Sequence, residues 1–237
     1  MIASEQGLTG SAEPEIPWRG PGALLAIDAT GPFCGVGVAR ADGVASVRCV
    51  SMERGHAERI FPLIEDSLAA LGCGYDDVSR LAACRGPGSF TGVRIAVAAA
   101  RGLALAIPGS TALGVDAFAL HAEAARHAGV RGPVRVVFGA PPRQIARRFD
   151  LNDRAAEALA DIPSGSAPDV ELGPGAWDGP AGAEPTALMA ALLRLAVSQG
   201  PEDAPATPFY SRAPDASPSQ EDRPIRLGPR PRASGGA

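Results

Sequence analysis

ALLAIDATGPFCGVGVARADGVASVRCVSM, residues 23–52, is the stretch whose reading decides the fold class. A short apolar run ends on Asp28, the turn signal ATGP follows, FCGVGVAR (33–40) returns, ADG turns again, and VASVRCVSM (44–52) runs back. Apolar and β-branched runs cut by Gly, Pro and Asp predict a strand, a hairpin and a third strand. Downstream, Ile60, Leu63, Ile64, Leu68 and Leu71, with Ser67 as a small exception, fall at helical spacing over 56–71. Pro62 should sit in the first turns of that helix or kink it. A short strand at 81–84, the loop RGPGSFTG, an apolar helix over 91–106, the strand TALGV and the helix DAFALHAEAARHAG come next, and Gly129 to Pro133 makes a boundary.

Three strands, helix, strand, helix, strand, helix is the order of one half of the α/β architecture shared by actin, sugar kinases and Hsp70. The rest of the chain resembles a worn second copy. VRVVFG (134–139) and QIARRFDL (144–151) can make strands, 152–183 is rich in Gly, Pro and Asp, and EPTALMAALLRLAVSQG predicts a helix before a last ordered stretch, PFYSRAPDA. Four segments follow: a flexible extension at 1–22, a first lobe at 23–130, a second, degenerate lobe at 131–216 and a disordered tail at 217–237.

The 237 residues suffice for one large domain or two small ones, and 46% hydrophobic against 20% charged excludes a wholly disordered chain. A net charge of −4 gives no general attraction for phosphate backbones, so a stand-alone nucleic-acid binder is disfavoured. All 22 basic residues are Arg, which removes Schiff-base chemistry, a phosphate-loop lysine and a lysine general base. Cys34, Cys49, Cys73 and Cys84 show no C-x-x-C spacing, so reduced thiols are expected rather than a zinc site or a disulfide framework. The acidic first residues contain no signal-peptide run, and Arg101 and Pro108 interrupt the most apolar region, so a soluble, cytoplasmic protein without membrane association is expected.

Asp28 and Thr30, at the turn of the first hairpin, stand where an acidic and a small residue can meet metal and phosphate, and equally where ordinary turn chemistry puts them. A second phosphate hairpin and an adenosine loop are not visible. Gly86-Pro87-Gly88-Ser89-Phe90-Thr91-Gly92 is the sharpest string: its glycines permit tight backbone conformations, and Ser89 or Thr91 can cap the helix that follows. Without lysine it is no Walker loop, and a shaped turn feeding a contact helix is the favoured reading. In that helix Val93, Val97, Ala100 and Ala104 share one face, while Ile95, Ala98, Gly102 and Ala106 share roughly the opposite one. Apolar nearly all round, it must be covered by its own domain on both sides, or by its own domain and a partner. Ala98, Gly102 and Ala106 form a flat strip that lets another helix approach closely. His56 is expected at a helix start and His121 and His127 on the surface. No metal site follows from their spacing.

LLAIDATGPFCGVGVARADG, RGHAERIFPLIEDSLAALG, RGPGSFTGVRIAVAAARGLAL, GVDAFALHAEAA and FYSRAPDA, in this order from about Ala23 to Ala216, resemble the bacterial TsaB (YeaZ) family. That resemblance implies a two-lobed actin-like fold, no independent catalysis and no tightly bound cofactor. It implies pairing with the catalytic TsaD through the helices beside GPGSFTG, and a possible homodimer. With TsaE and ATP, that complex transfers a threonylcarbamoyl group to the adenosine beside the tRNA anticodon, and tRNA is met only through the complex. Two departures stand out: Gly139 occupies a position where the family usually has Asp, and Asp28-Ala29-Thr30 replaces the common Asp-Thr-Ser, which weakens any nucleotide contact. The runner-up readings are an ATP-dependent kinase of the same architecture, against which the missing adenosine loop argues, and a glycoprotease-like metallopeptidase, against which the missing metal histidines argue.

Overall fold

The computed structural model describes residues 10–139, 144–152, 157–158, 170–173, 184–200, 202 and 204–210. In chain order the elements are β1 (Gly10–Ala12), β2 (Ala23–Asp28), β3 (Phe33–Ala39), β4 (Ala45–Ser51), α1 (His56–Ala70), a 3-10 turn (Tyr75–Asp77), β5 (Val78–Cys84), α2 (Phe90–Ala106) and β6 (Thr111–Val115). Then come α3 (Ala117–His127), β7 (Pro133–Phe138), β8 (Ile145–Asp150), β9 (Glu157–Ala158), β10 (Val170–Leu172) and α4 (Pro185–Ser198). Helix α1 runs on through Pro62.

A six-stranded mixed sheet, ordered β1-β4-β3-β2-β5-β6, carries antiparallel pairs up to β2 and parallel pairs from β2 to β6. Strand β2 is buried on both faces, which is why it reads as an unbroken apolar run. Ala23, Leu25 and Ile27 face a core formed with α1 and α2, and Leu24 and Ala26 face the opposite core. The alternation in FCGVGVA sets the distance to the helix on that second face. Cys34, Val36 and Val38 point toward α1 and α2, while Cβ atoms at Gly35 and Gly37 would come within 2.7 Å of the Met189 sulfur and 3.0 Å of Leu193. Two glycines thus open the seat in which α4 lies.

A four-stranded sheet, ordered β10-β7-β8-β9, forms the second layer system. Helix α3 belongs to both. Its Phe118 meets Phe138 of β7 edge-on at 5.1 Å, and Arg147 of β8 reaches back to Asp116, the α3 N-cap, at 2.9 Å while lying over the Phe118 ring. One buried cluster contains Leu24, Val115, Phe118, Val136, Phe149 and Leu192, so the two sheets share a core. Gly139 ends β7 at φ +89°, the left-handed region that favours glycine.

Three expectations are corrected. Within 1–22, residues 10–22 are built into the fold rather than extended from it: β1 pairs with β4, and Ile16 and Trp18 are buried. Trp18 donates from its ring N–H to the Gly22 carbonyl at 2.6 Å and carries the Arg80 guanidinium over its face, and Arg80 in turn donates to the Ala196 carbonyl near the end of α4. Helix α4, expected within the second lobe at 131–216, packs instead on the first sheet and α3. His121, expected on the surface, is buried between α3 and Phe138, at 5.2 Å from that ring. The tail at 217–237 lies outside the described residues.

Trp18→Ala should therefore cost about 3–5 kcal/mol, read as a lowered Tm, where a free extension would show no change. Acid should act through His121, whose Nδ1 has no partner among the described residues and whose burial lowers its pKa from 6.5 to about 4. The unfolded chain then binds the extra proton first as pH falls, so stability drops between about pH 6.5 and 4, by about 3 kcal/mol. Urea unfolding of His121→Leu across that range should show a flatter acid limb, and an unchanged slope would reject the assignment.

Candidate interaction site

The loop Gly86–Gly92 joins β5 to α2 and is pinned from three sides. Gly86 takes φ +95°, precedes Pro87 through a cis peptide bond, and accepts the Ala117 N–H at the start of α3 at 2.8 Å. Ser89 donates its N–H to the Thr30 carbonyl at 2.8 Å, and its hydroxyl accepts the Gly92 N–H at 3.3 Å, which makes it the N-cap of α2. A Cβ at Gly88 would stand 2.7 Å from Thr30, and one at Gly92 only 1.9 Å from the Ala29 carbonyl oxygen. The glycines are there for close approach. The loop rests on the turn that Asp28 closes.

Asp28 is 1% exposed, and its Oδ1 accepts the Thr30 N–H at 2.8 Å. Burial pushes its carboxyl up, with Thr30 and Cys84 pulling the other way, and the Thr30 hydroxyl lies 3.5 Å from the Cys84 sulfur. The bond from the Thr30 N–H to Asp28 is of the kind an acid makes in an ordinary turn, with the carboxyl buried rather than at the surface. Desolvation beside Asp28 also holds the Cys84 thiol well above its usual range. All four cysteines are free, and no group of three His, Cys, Asp or Glu that could hold a metal ion occurs among the described residues.

Helix α2 buries Gly92, Val93, Ala96, Val97, Ala99 and Ala100 against the sheet and α1. The spacing-derived strip splits in the structure. Ala98, Gly102 and Ala106 are exposed together with Arg94, Arg101 and Leu105, the last at 90%, and a Cβ on Gly102 would touch nothing. Ile95, grouped with them by spacing, is half-buried against the α1/α2 core. Among the described residues, then, one side of α2 is covered and the other is open.

The segment that completes this surface was expected as a last ordered stretch, PFYSRAPDA, but without a place beside α2. Residues 204–210 return along β6 as a strap: Gly114 donates to the Ala204 carbonyl at 2.7 Å, and Phe209 donates to the Arg85 carbonyl at 2.8 Å. Tyr210 arrives beside Phe90 with ring centroids 5.1 Å apart and accepts the Arg94 Nε–H at 2.9 Å. Among the described residues no helix is long and apolar enough to cross a membrane.

Two sheets that share a core, with a glycine loop leading into a half-open helix, define a mixed α/β protein. The family model described as "TsaD: tRNA N6-adenosine threonylcarbamoyltransferase" matches residues 49–147. Within that class, the chain belongs to the TsaB/YeaZ family. It is 43% identical over 82 residues to the tRNA threonylcarbamoyladenosine biosynthesis protein TsaB of Escherichia coli, covering 35% of each chain. To the protein of the same name from Haemophilus influenzae it is 38% identical over 105 residues, 41% of this chain and 44% of that one. These two matches span under half the length of those relatives. An uncharacterised protein of Mycobacterium tuberculosis is similar over more, 33% identical across 82% of this chain and 94% of its own. The structure of YeaZ from Pseudomonas aeruginosa superposes with a TM-score of 0.56 at 27% identity, over 64% of this chain and 75% of that one.

Two alanine substitutions separate the roles of the glycines. Gly92→Ala should destabilise by about 3 kcal/mol, because the methyl overlaps a backbone carbonyl that the sheet fixes. Gly102→Ala, into open space within a helix, should stabilise by about 0.5–1 kcal/mol. Denaturant midpoints of the two variants check both.

Proposed function

We propose that this protein is a non-catalytic subunit in the formation of threonylcarbamoyladenosine in tRNA, and that it pairs with a TsaD-type homologue through the outer face of α2. The observation that carries the reading is the uncovered strip Ala98–Gly102–Ala106 beside the exposed Leu105, on a helix whose inner face is fully packed. Small residues on successive turns let a second helix come close enough for backbone-to-backbone packing, and a bare Leu adds apolar area for it to bury. The names carried by the relatives from E. coli and H. influenzae support the pathway, and the match to the TsaD family model supports a partner of related fold.

In this reading the two sheets are the lobes of an actin-like architecture. GPGSFTG with Gly86, Pro87, Gly88, Ser89, Phe90, Thr91 and Gly92 is the rigid shoulder that aims α2. ATP and TsaE act in the assembled complex, tRNA is contacted through that complex, the protein works in the cytoplasm, and a second copy of the chain can occupy the same face when the partner is absent. Turnover is assigned to the partner, because Asp28 is committed to its own turn beneath the loop.

Gly102→Leu tests the pairing. The side chain meets nothing within this chain, so the isolated variant should unfold at or above the wild-type temperature. Association with the TsaD-type homologue encoded by the same genome should weaken by about 1–3 kcal/mol in titration calorimetry, through steric overlap. Loss of threonylcarbamoyladenosine in cells carrying only the variant should follow. Unchanged binding would reject this face as the interface.

A further inference from the structure

The open side of α2 does not consist only of small residues. Phe90, Arg94, Ala98, Gly102 and Ala106 stand at four-residue intervals on successive turns, so the strip is continuous with an aromatic-arginine cluster at the start of the helix. There the guanidinium carbon of Arg94 sits 3.8 Å from the Phe90 ring centroid and 5.6 Å from that of Tyr210, while Nε–H is given to the Tyr210 hydroxyl at 2.9 Å. Both rings are 38% exposed. The strap that delivers Tyr210 is itself bonded to Arg85 and Gly114, so the cluster is held from both chain directions.

We infer that Arg94, fixed between Phe90 and Tyr210, is the polar anchor of the docking face and takes an acidic side chain of the catalytic partner. The inference rests on the pairing reading above and adds the chemistry of the contact. With Nε bonded to Tyr210 and the plane stacked on Phe90, the two terminal amino groups have no acceptor among the described residues. A helix that covers Ala98 and Gly102 also takes water away from Arg94, one turn earlier. A guanidinium covered without an acceptor is strongly unfavourable, and the group that matches its planar fork in two parallel bonds is a carboxylate. A nucleic-acid phosphate offers the same oxygens. Yet apart from Arg94 and Arg101 the face is Ala, Gly and Leu, which suits a protein helix, and the chain carries a net charge of −4. Tyr210 acts as a positioning residue: it spends Nε on an internal bond and fixes the guanidinium before the partner arrives, which lowers the ordering cost of binding.

Full-length Arg94→Gln, Arg94→Lys, Tyr210→Phe and Gly102→Leu should be titrated calorimetrically into the TsaD-type homologue at low and high salt, with thermal unfolding of each isolated variant. Arg94→Gln should bind about tenfold more weakly, or worse, at an unchanged Tm, and should lose most of the salt dependence of the wild type. Arg94→Lys should recover part of the affinity as a point charge without the fork. Tyr210→Phe should weaken binding less than Arg94→Gln, and adding it to Arg94→Gln should bring no further loss. If Arg94→Gln binds like the wild type while Gly102→Leu is impaired, the anchor is wrong and the docking face stands. If both bind like the wild type, or the wild type itself does not bind, the pairing reading falls and the anchor with it. A fall in Tm that accounts for the lost binding, or a loss confined to direct tRNA binding in a filter assay, would also overturn the assignment.

Discussion

The start of α2 and the first turn of the sheet meet backbone to backbone. Between Gly92 and the Ala29 carbonyl there is no room even for a methyl group, since a Cβ would fall 1.9 Å from the oxygen. This contact fixes where α2 begins, and Ser89 bonded to the Thr30 carbonyl fixes its direction. From that origin the 3.6-residue period does the rest: Val93, Ala96, Val97 and Ala100 turn to the sheet, and Ala98, Gly102 and Ala106 turn away. A side chain at position 92 would lift the helix and rotate the whole outer face. In the same turn Asp28 is buried and its carboxylate oxygen accepts the Thr30 N–H.

Glycine plays the matching part across the sheet, where Gly35 and Gly37 let Met189 and Leu193 of α4 settle onto β3. The large sheet is thereby covered on both sides, by α1 and α2 on one and α4 on the other. Arginine supplies many of the ties at the margins. Arg80 joins Trp18 to the end of α4, Arg147 joins β8 to α3, and Arg131 donates to the Arg126 carbonyl. A planar, permanently charged group that bonds carbonyls and stacks on rings suits such work better than an ammonium does.

Legibility followed locality. ALLAID, FCGVGVA and VASVRCV carry their strand character in adjacent residues, and the structure places β2, β3 and β4 on them. The division of α2 into a packed and an open side was written in its spacing, apart from Ile95, which packs half-buried against the α1/α2 core. What escaped was whatever depends on distant partners. Ile16 and Trp18 are isolated apolar residues in a Pro-, Gly- and acid-rich stretch without period, and they are held because the exposed edge of β4 and the Arg80 side chain are waiting for them. His121 was misjudged because its side of α3 is covered by the second sheet, where Phe138 lies against the imidazole, a tertiary contact that no local spacing announces. The seat of α4 on the first sheet is a matter of topology, invisible to any local window. Tyr210 is placed by strap bonds to Arg85 and Gly114, residues far earlier in the chain.

Helix α3 gives the molecule a mechanical character. Proteins that grip a ligand between two halves need a hinge, and the halves must part without tearing a core. Here any opening rotation would pull Phe138 from Phe118 and His121 and strip Arg147 from Asp116, wetting a buried cluster that belongs to both sheets. The halves are welded, not hinged. Amide hydrogen exchange in β2, α3 and β7 would accordingly report a single cooperative opening.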